Sequence, residues 1–152
     1  EDGIRDYKVT GVQTCALPIY NTFDLVYSSH VLEHFKKSET QIIVNEWVRV
    51  LKPGGTIRLS VPSLEALIKI YELSGDMEYI IGPLMGGQTY DQNFHYNMFD
   101  KKRLTDYLEK AGCEAVHPWD YRRTSHSKYF DFSQATTLEI PISLNLEARK
   151  SI

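Results

Sequence analysis

Hydrophobic and polar positions divide the chain into short segments of recognisable period. Phe23-Asp24-Leu25-Val26-Tyr27-Ser28 is an apolar run that closes in small polar residues. It has no helical spacing and predicts a buried parallel strand. Ser38-Glu39-Thr40-Gln41 has the form of a capping box, a serine with glutamine three residues on. Behind it Ile43, Val44, Val48 and Leu51, with Trp47, fall on one stripe of a helix. Lys52-Pro53-Gly54-Gly55 predicts the stop, because proline removes an amide donor and glycine admits positive φ. Residues 56–61 are rich in β-formers and close at Pro62, giving a second strand. Strand, helix, tight turn and strand in so short a span make a βαβ unit, so this part of the sheet is predicted to be parallel.

Further along, Ser63 opens a helix with Leu64, Leu67, Ile68 and Tyr71 on one face. Residues 76–84 are more weakly helical, and 88–98 form a polar and aromatic loop without period. A third clear helix is predicted over 100–111, with Leu104, Tyr107 and Leu108 inward and Gly112 as its stop. Residues 114–119 predict a strand, 121–137 an irregular excursion, and 142–148, which alternate strictly, a strand with one wet face. No internal repeat or low-complexity tract interrupts this order.

Composition narrows the class. The chain has 152 residues, 42% hydrophobic and 24% charged, with a formal charge of −3. That suits a single globular domain and is too apolar for disorder. No run approaches the ~20 apolar residues of a membrane span. Glu1-Asp2-Gly3-Ile4-Arg5-Asp6 lacks the basic start and apolar stretch of a secretory signal. Two cysteines cannot build a disulfide framework, so the expected compartment is the reducing cytoplasm. The charge balance predicts neither a nucleic-acid groove nor an anionic membrane partner.

Residues 9–19, VTGVQTCALPI, resemble the in-frame translation of a short-read sequencing-library primer, and Glu1 to Asp6 resemble its upstream arm. Residues 1–19 are therefore expected to be a sequencing artefact that packs poorly. Residues 20–152 are expected to be the C-terminal part of one domain whose natural upstream part is missing. Cys15 falls in the first segment, leaving Cys113, which is read as a small buried apolar residue.

In open parallel sheets ligands bind at the carboxyl ends of the strands. The first strand ends there in Ser28-Ser29-His30-Val31-Leu32-Glu33-His34. FDLVYSSHVLEHF followed by RVLKPGGTIRLSVP resembles the fourth and fifth strands of class I S-adenosylmethionine-dependent methyltransferases. GGQTYDQNFHYNMFD and IPISLNLEARK are similar to a bacterial subfamily of the methyltransferase type 11 kind, so the resemblance runs from Phe23 to Lys150. It implies an α/β, Rossmann-like sheet that lacks its first three strands and is mostly parallel with one antiparallel C-terminal strand. The edge strand at 23–28 should then be unpaired on one side. The cofactor implied is S-adenosylmethionine, with Ser28, Ser29 and His30 beside its methionine part and sulfonium and His34 one helical turn further on. The family's glycine-rich loop and ribose-binding acid lie upstream of the fourth strand, so this chain is expected to bind the cofactor poorly.

A sulfonium is already electrophilic, so such a protein mainly aligns the nucleophile, helped where needed by a base near neutral pKa. His95, in Gln92-Asn93-Phe94-His95-Tyr96, is the leading candidate base and His34 the second. Gln88, Tyr90, Asn93 and Tyr96 are candidate substrate contacts, the acceptor being a small molecule or a saccharide. No residue is assigned to a metal in this reading. His117 and the Arg122-Arg123-Thr124-Ser125-His126 patch are read as structural and solvated. Two rival readings stand beside it. His30-Val31-Leu32-Glu33-His34 matches the H-x-x-E-H signature of a zinc metallopeptidase. A methyltransferase fold can also serve as a non-catalytic binding domain.

Overall fold

The computed structural model describes residues 20–124, 128 and 130–152. The expectations for residues 1–19 and for His126 lie outside the described residues. Strand β1 (Phe23–Ser29) leads through a one-turn 3-10 helix (Leu32–His34) into α1 (Lys37–Val50) and β2 (Leu51–Pro62). Then come α2 (Leu64–Ser74), the short α3 (Ile81–Met85), α4 (Lys101–Lys110) and β3 (Cys113–Pro118). A two-residue pair, β4 (Thr136–Thr137) with β5 (Ile140–Pro141), precedes the last strand, β6 (Ser143–Lys150).

The sheet order is β1-β2-β6-β3. β1 pairs parallel with β2, from Leu25 opposite Thr56 to Ser29 opposite Ser60. β6 inserts antiparallel between β2 and β3, with Thr56 opposite Arg149 and Cys113 opposite Lys150. Three of the four strands thus point the same way and one runs against them. The architecture is α/β, as expected from the sequence.

One face of the sheet is apolar. Ile57, Leu59 and Val61 of β2 and Leu146 and Ala148 of β6 pack with Val44 and Val48 of α1 and Leu104 and Leu108 of α4, all with little or no exposed surface. The opposite face carries Arg58 and Glu147, ion-paired at 2.6 Å, with the indole of Trp119 beside Arg58. A second, smaller cluster of Leu67, Ile70, Ile80 and Ile142 seats α2 against the 80–85 segment.

Three local expectations need correction. α1 starts at Lys37, and its first turn is closed by Glu39, whose Oε2 accepts the Lys36 amide at 3.0 Å, so the predicted Ser38–Gln41 box is not the cap. Glu39 lies within reach of an amide left free at the helix start, which decides the boundary. Lys52-Pro53-Gly54-Gly55 does not sit beyond the helix as a separate turn. The backbone is already extended at Leu51, and these residues form an irregularity within β2, between Phe23 opposite Leu51 and Leu25 opposite Thr56. Gly54 takes φ +73 there, a conformation that favours glycine, and a Cβ on Gly55 would sit 2.8 Å from the Lys52 carbonyl oxygen, so Gly55 leaves no room for a side chain. Finally, β1 is not fully buried. Phe23, Asp24 and Leu25 are exposed, because among the described residues no strand pairs with its outer edge.

Candidate functional site

A cavity of about 440 Å³ lies beyond the carboxyl ends of β1 and β2. His30, His34, His95, Tyr90, Asn93, Phe132 and the Gly82-Pro83 turn are among its walls. The chain reaches this geometry in steps. The His30 amide donates to the Ser60 carbonyl at 2.8 Å, carrying the β1–β2 ladder one residue past the strand. His30 itself takes φ +52, a left-handed conformation that turns the chain sharply. Leu32, fully buried, then pins the 3-10 turn to the core, which draws Glu33 inside and leaves His34 at the cavity wall.

The loop before α4 supplies the other wall. The Tyr96 amide donates to the Glu33 carbonyl at 2.8 Å and the His95 amide to the Met85 carbonyl at 3.0 Å. Gly86 permits the loop to fold back, since a Cβ there would sit 2.4 Å from the Asn93 carbonyl oxygen. The His34 and His95 rings meet edge to face, 4.7 Å between centroids.

Hydrogen bonds fix how the rings present themselves. His95 Nδ1 lies 2.8 Å from the Pro83 carbonyl oxygen and His34 Nδ1 3.1 Å from that of Phe94. A carbonyl only accepts, so each Nδ1 carries the proton and each neutral ring keeps its lone pair on Nε2. His30 is arranged the other way. Ser143 Oγ donates to the Phe132 carbonyl at 2.7 Å, so His30 Nε2, 2.7 Å from that hydroxyl oxygen, is the donor and Nδ1 holds the lone pair.

Glu33 sits among these rings with no exposed surface. Its Oε1 lies 3.3 Å from His30 Nδ1 and 3.9 Å from His95 Nε2, yet neither carboxylate oxygen has a hydrogen-bond partner. Burial pushes the Glu33 carboxyl up to about 8. Burial first, then the charges of His95 and His34, pushes His30 down to about 4. Burial also lowers His95.

The residues singled out in the sequence are distributed unevenly. His30, His34, His95, Tyr90 and Asn93 share the cavity. Ser28 Oγ is buried beside it in sequence, without a hydrogen-bond partner. Ser29 Oγ donates to Asp131 Oδ1 at 3.3 Å, alongside Tyr27, whose hydroxyl donates to Oδ2 at 2.6 Å. Gln88 is exposed and bonds back to the Met85 carbonyl at 3.3 Å, while Tyr96 faces a neighbouring hollow with Lys37 and Arg103. Sequence reasoning reached Glu33 only within the metallopeptidase signature and missed Pro83, Phe132 and Ile142. Nothing in periodicity brings 82–95 and 132–142 to the end of β1.

A family model described as "Methyltransferase domain" matches residues 5–59. No curated protein shows significant similarity to the chain. Among solved structures, a possible exported protein from Bordetella parapertussis superposes with a TM-score of 0.56 at 16% identity, over 90% of this chain and 41% of the other. A SAM-dependent methyltransferase from Archaeoglobus fulgidus gives 0.52 at 18% identity, over 88% of this chain and 62% of the other. Human N-acetylserotonin methyltransferase, in complex with SAM, gives 0.54 at 15% identity, over 90% and 32%. The chain therefore shares the fold of S-adenosylmethionine-dependent methyltransferases and spans less than two thirds of the length of each of these structures.

Proposed function

We propose that the chain is the acceptor-side part of an S-adenosylmethionine-dependent methyltransferase acting on a small-molecule or saccharide acceptor. The observation that carries this reading is the cavity at the carboxyl ends of β1 and β2, into which one wall brings His34 and the other His95. Ligands of open α/β sheets bind in this place.

The residues present fit part of the cofactor. Ser28, whose buried hydroxyl is unpartnered, and the adjoining Ser29–His30 turn would meet its methionine end. When bound, S-adenosylmethionine supplies a methyl group on a positively charged sulfur. The chain's own contribution is orientation and proton handling. Tyr90 and Asn93 bound the acceptor space and Phe132 shields it. An oxygen or nitrogen nucleophile held there meets the Nε2 lone pairs of His95 and His34, the groups able to draw off its proton. Bringing reactants into line in this way is worth up to about 7–11 kcal/mol of barrier in favourable cases. The compartment in this reading is the cytoplasm.

The H-x-x-E-H peptidase reading fits the geometry less well. The ligand atoms that gather within 4.8 Å of one another belong to Glu33, His34 and His95, and His30 is not among them.

Amide chemical-shift mapping with S-adenosylhomocysteine tests the proposal, because it registers weak binding. Shifts confined to residues 28–34 and the cavity wall are expected. Shifts elsewhere, or none at millimolar ligand, overturn it.

A further inference from the structure

We propose that Glu33, His34 and His95 form a binding site for one divalent transition-metal cation. One ligand atom from each, a carboxylate oxygen and two imidazole nitrogens, all lie within 4.8 Å of one another. Around a tetrahedral ion at about 2.1 Å, ligand atoms stand roughly 3.4 Å apart, so modest side-chain movement closes the set.

Three independent features point the same way. The Glu33 carboxylate is fully buried and both its oxygens lack a hydrogen-bond partner, an arrangement that burial alone makes costly. Both histidines have their outer nitrogen fixed by a backbone carbonyl, Pro83 for His95 and Phe94 for His34. Metal-ligating histidines almost always have such a second partner, which sets the tautomer and aims the lone pair. Third, His34 and His95 line the cavity, so three protein ligands would leave the remaining coordination positions open to a small molecule, as at catalytic rather than structural centres.

Two imidazoles and one carboxylate select a borderline cation such as Zn²⁺, Co²⁺ or Fe²⁺ over Mg²⁺ or Ca²⁺, which prefer oxygen. His30 is not among the side chains whose ligand atoms lie within 4.8 Å of one another. The set differs from the peptidase signature in replacing His30 by His95, which is 65 positions from His30 in the sequence and reaches the site only through the 86–96 loop. For its consequence the inference rests on the proposed function. With an ion held, the Nε2 lone pairs of His34 and His95 would be taken up as its ligands, and the cation would lower the pKa of an acceptor hydroxyl, whose proton would pass to solvent instead of to a histidine.

The test is titration of the full chain with Co²⁺, followed by visible absorption and by equilibrium dialysis. One equivalent per chain is expected, with affinity at least tenfold weaker in Glu33→Gln and in His95→Asn. His117→Asn, at an exposed histidine outside the cavity, should bind as the unaltered chain does. No uptake by the unaltered chain overturns the inference. So does uptake that survives both Glu33→Gln and His95→Asn, since the ion then sits elsewhere. Cobalt binding is read without cofactor or acceptor. A chain that binds the ion but never shows the mapped cofactor shifts therefore defeats the methyl-transfer reading alone. Methyl transfer indifferent to Co²⁺ and chelator, with no ion uptake, defeats only this one.

Discussion

Glu33 concentrates the energetic tension of the molecule in one side chain. Its carboxyl is raised by burial to about 8, against an ordinary value of 4.5. Above pH 4.5 the unfolded chain ionises this group while the folded one keeps the proton. Stability contributed by Glu33 is thus complete below pH 4.5 and is lost progressively as pH rises to about 8. Glutamine is neutral in both states and escapes this loss. In chelator-treated protein, Glu33→Gln is therefore expected to be more stable than the parent by a few kcal/mol near pH 8, with the difference vanishing toward pH 4.5. Paired thermal melts across this range check it, and a variant less stable at pH 8 would refute the burial argument. His30 acts in the opposite sense. Its value of about 4 means that its contribution is present above 6.5 and is lost as pH falls from there to about 4.

At the scale of elements, α4 and β1 behave differently. α4 is well terminated: Asp100 Oδ1 accepts the Arg103 amide at 2.6 Å, and its apolar side enters the core through Leu104 and Leu108. Asp100→Ala should cost about 1 kcal/mol, read as a lowered melting temperature, through loss of this cap alone. β1 is the weak element. Its outer edge has no partner strand among the described residues, and Phe23 and Leu25 are exposed beside it. Such an edge templates pairing with other chains. Leu25→Lys should therefore raise the monomer fraction in size-exclusion chromatography with little loss of helix signal. An unaltered chain already monomeric at high concentration would show the edge to be harmless.

Across the whole molecule, the apolar face of the sheet decides which groups are chemically available. Cys113 pairs with Lys150 at the far side of the sheet and is buried, which pushes its thiol up to about 11. It should resist alkylation at pH 8 in the folded chain and react promptly once unfolded, as peptide mass mapping of the Cys113 peptide would reveal. Rapid modification of the native chain would mean that the β3 edge opens. Arg58 and Glu147 on the other face are salt-bridged and only partly exposed, so that face is polar where the first is dry.

The amino-acid order by itself determined the main helices and strands and the parallel direction of the βαβ unit. Alternation at 142–148, the stripe through Val44 and Val48, and the punctuation at Pro62-Ser63 and Gly112 are local signals, and local backbone preference suffices to read them. It also placed the polar corner Ser28 to His34 at a strand end. It could not decide boundaries such as the Glu39-closed start of α1, where two candidate caps compete over one turn. Nor could it show that β1 would stand half exposed, because burial depends on neighbours. The site itself was decided by tertiary structure. His95 meets Glu33 only because the Tyr96 amide is stitched to the Glu33 carbonyl and Gly86 lets the loop close. Contacts between segments some 60 residues apart leave no periodic trace in sequence, and they alone bring two lone pairs and a buried carboxylate to one point.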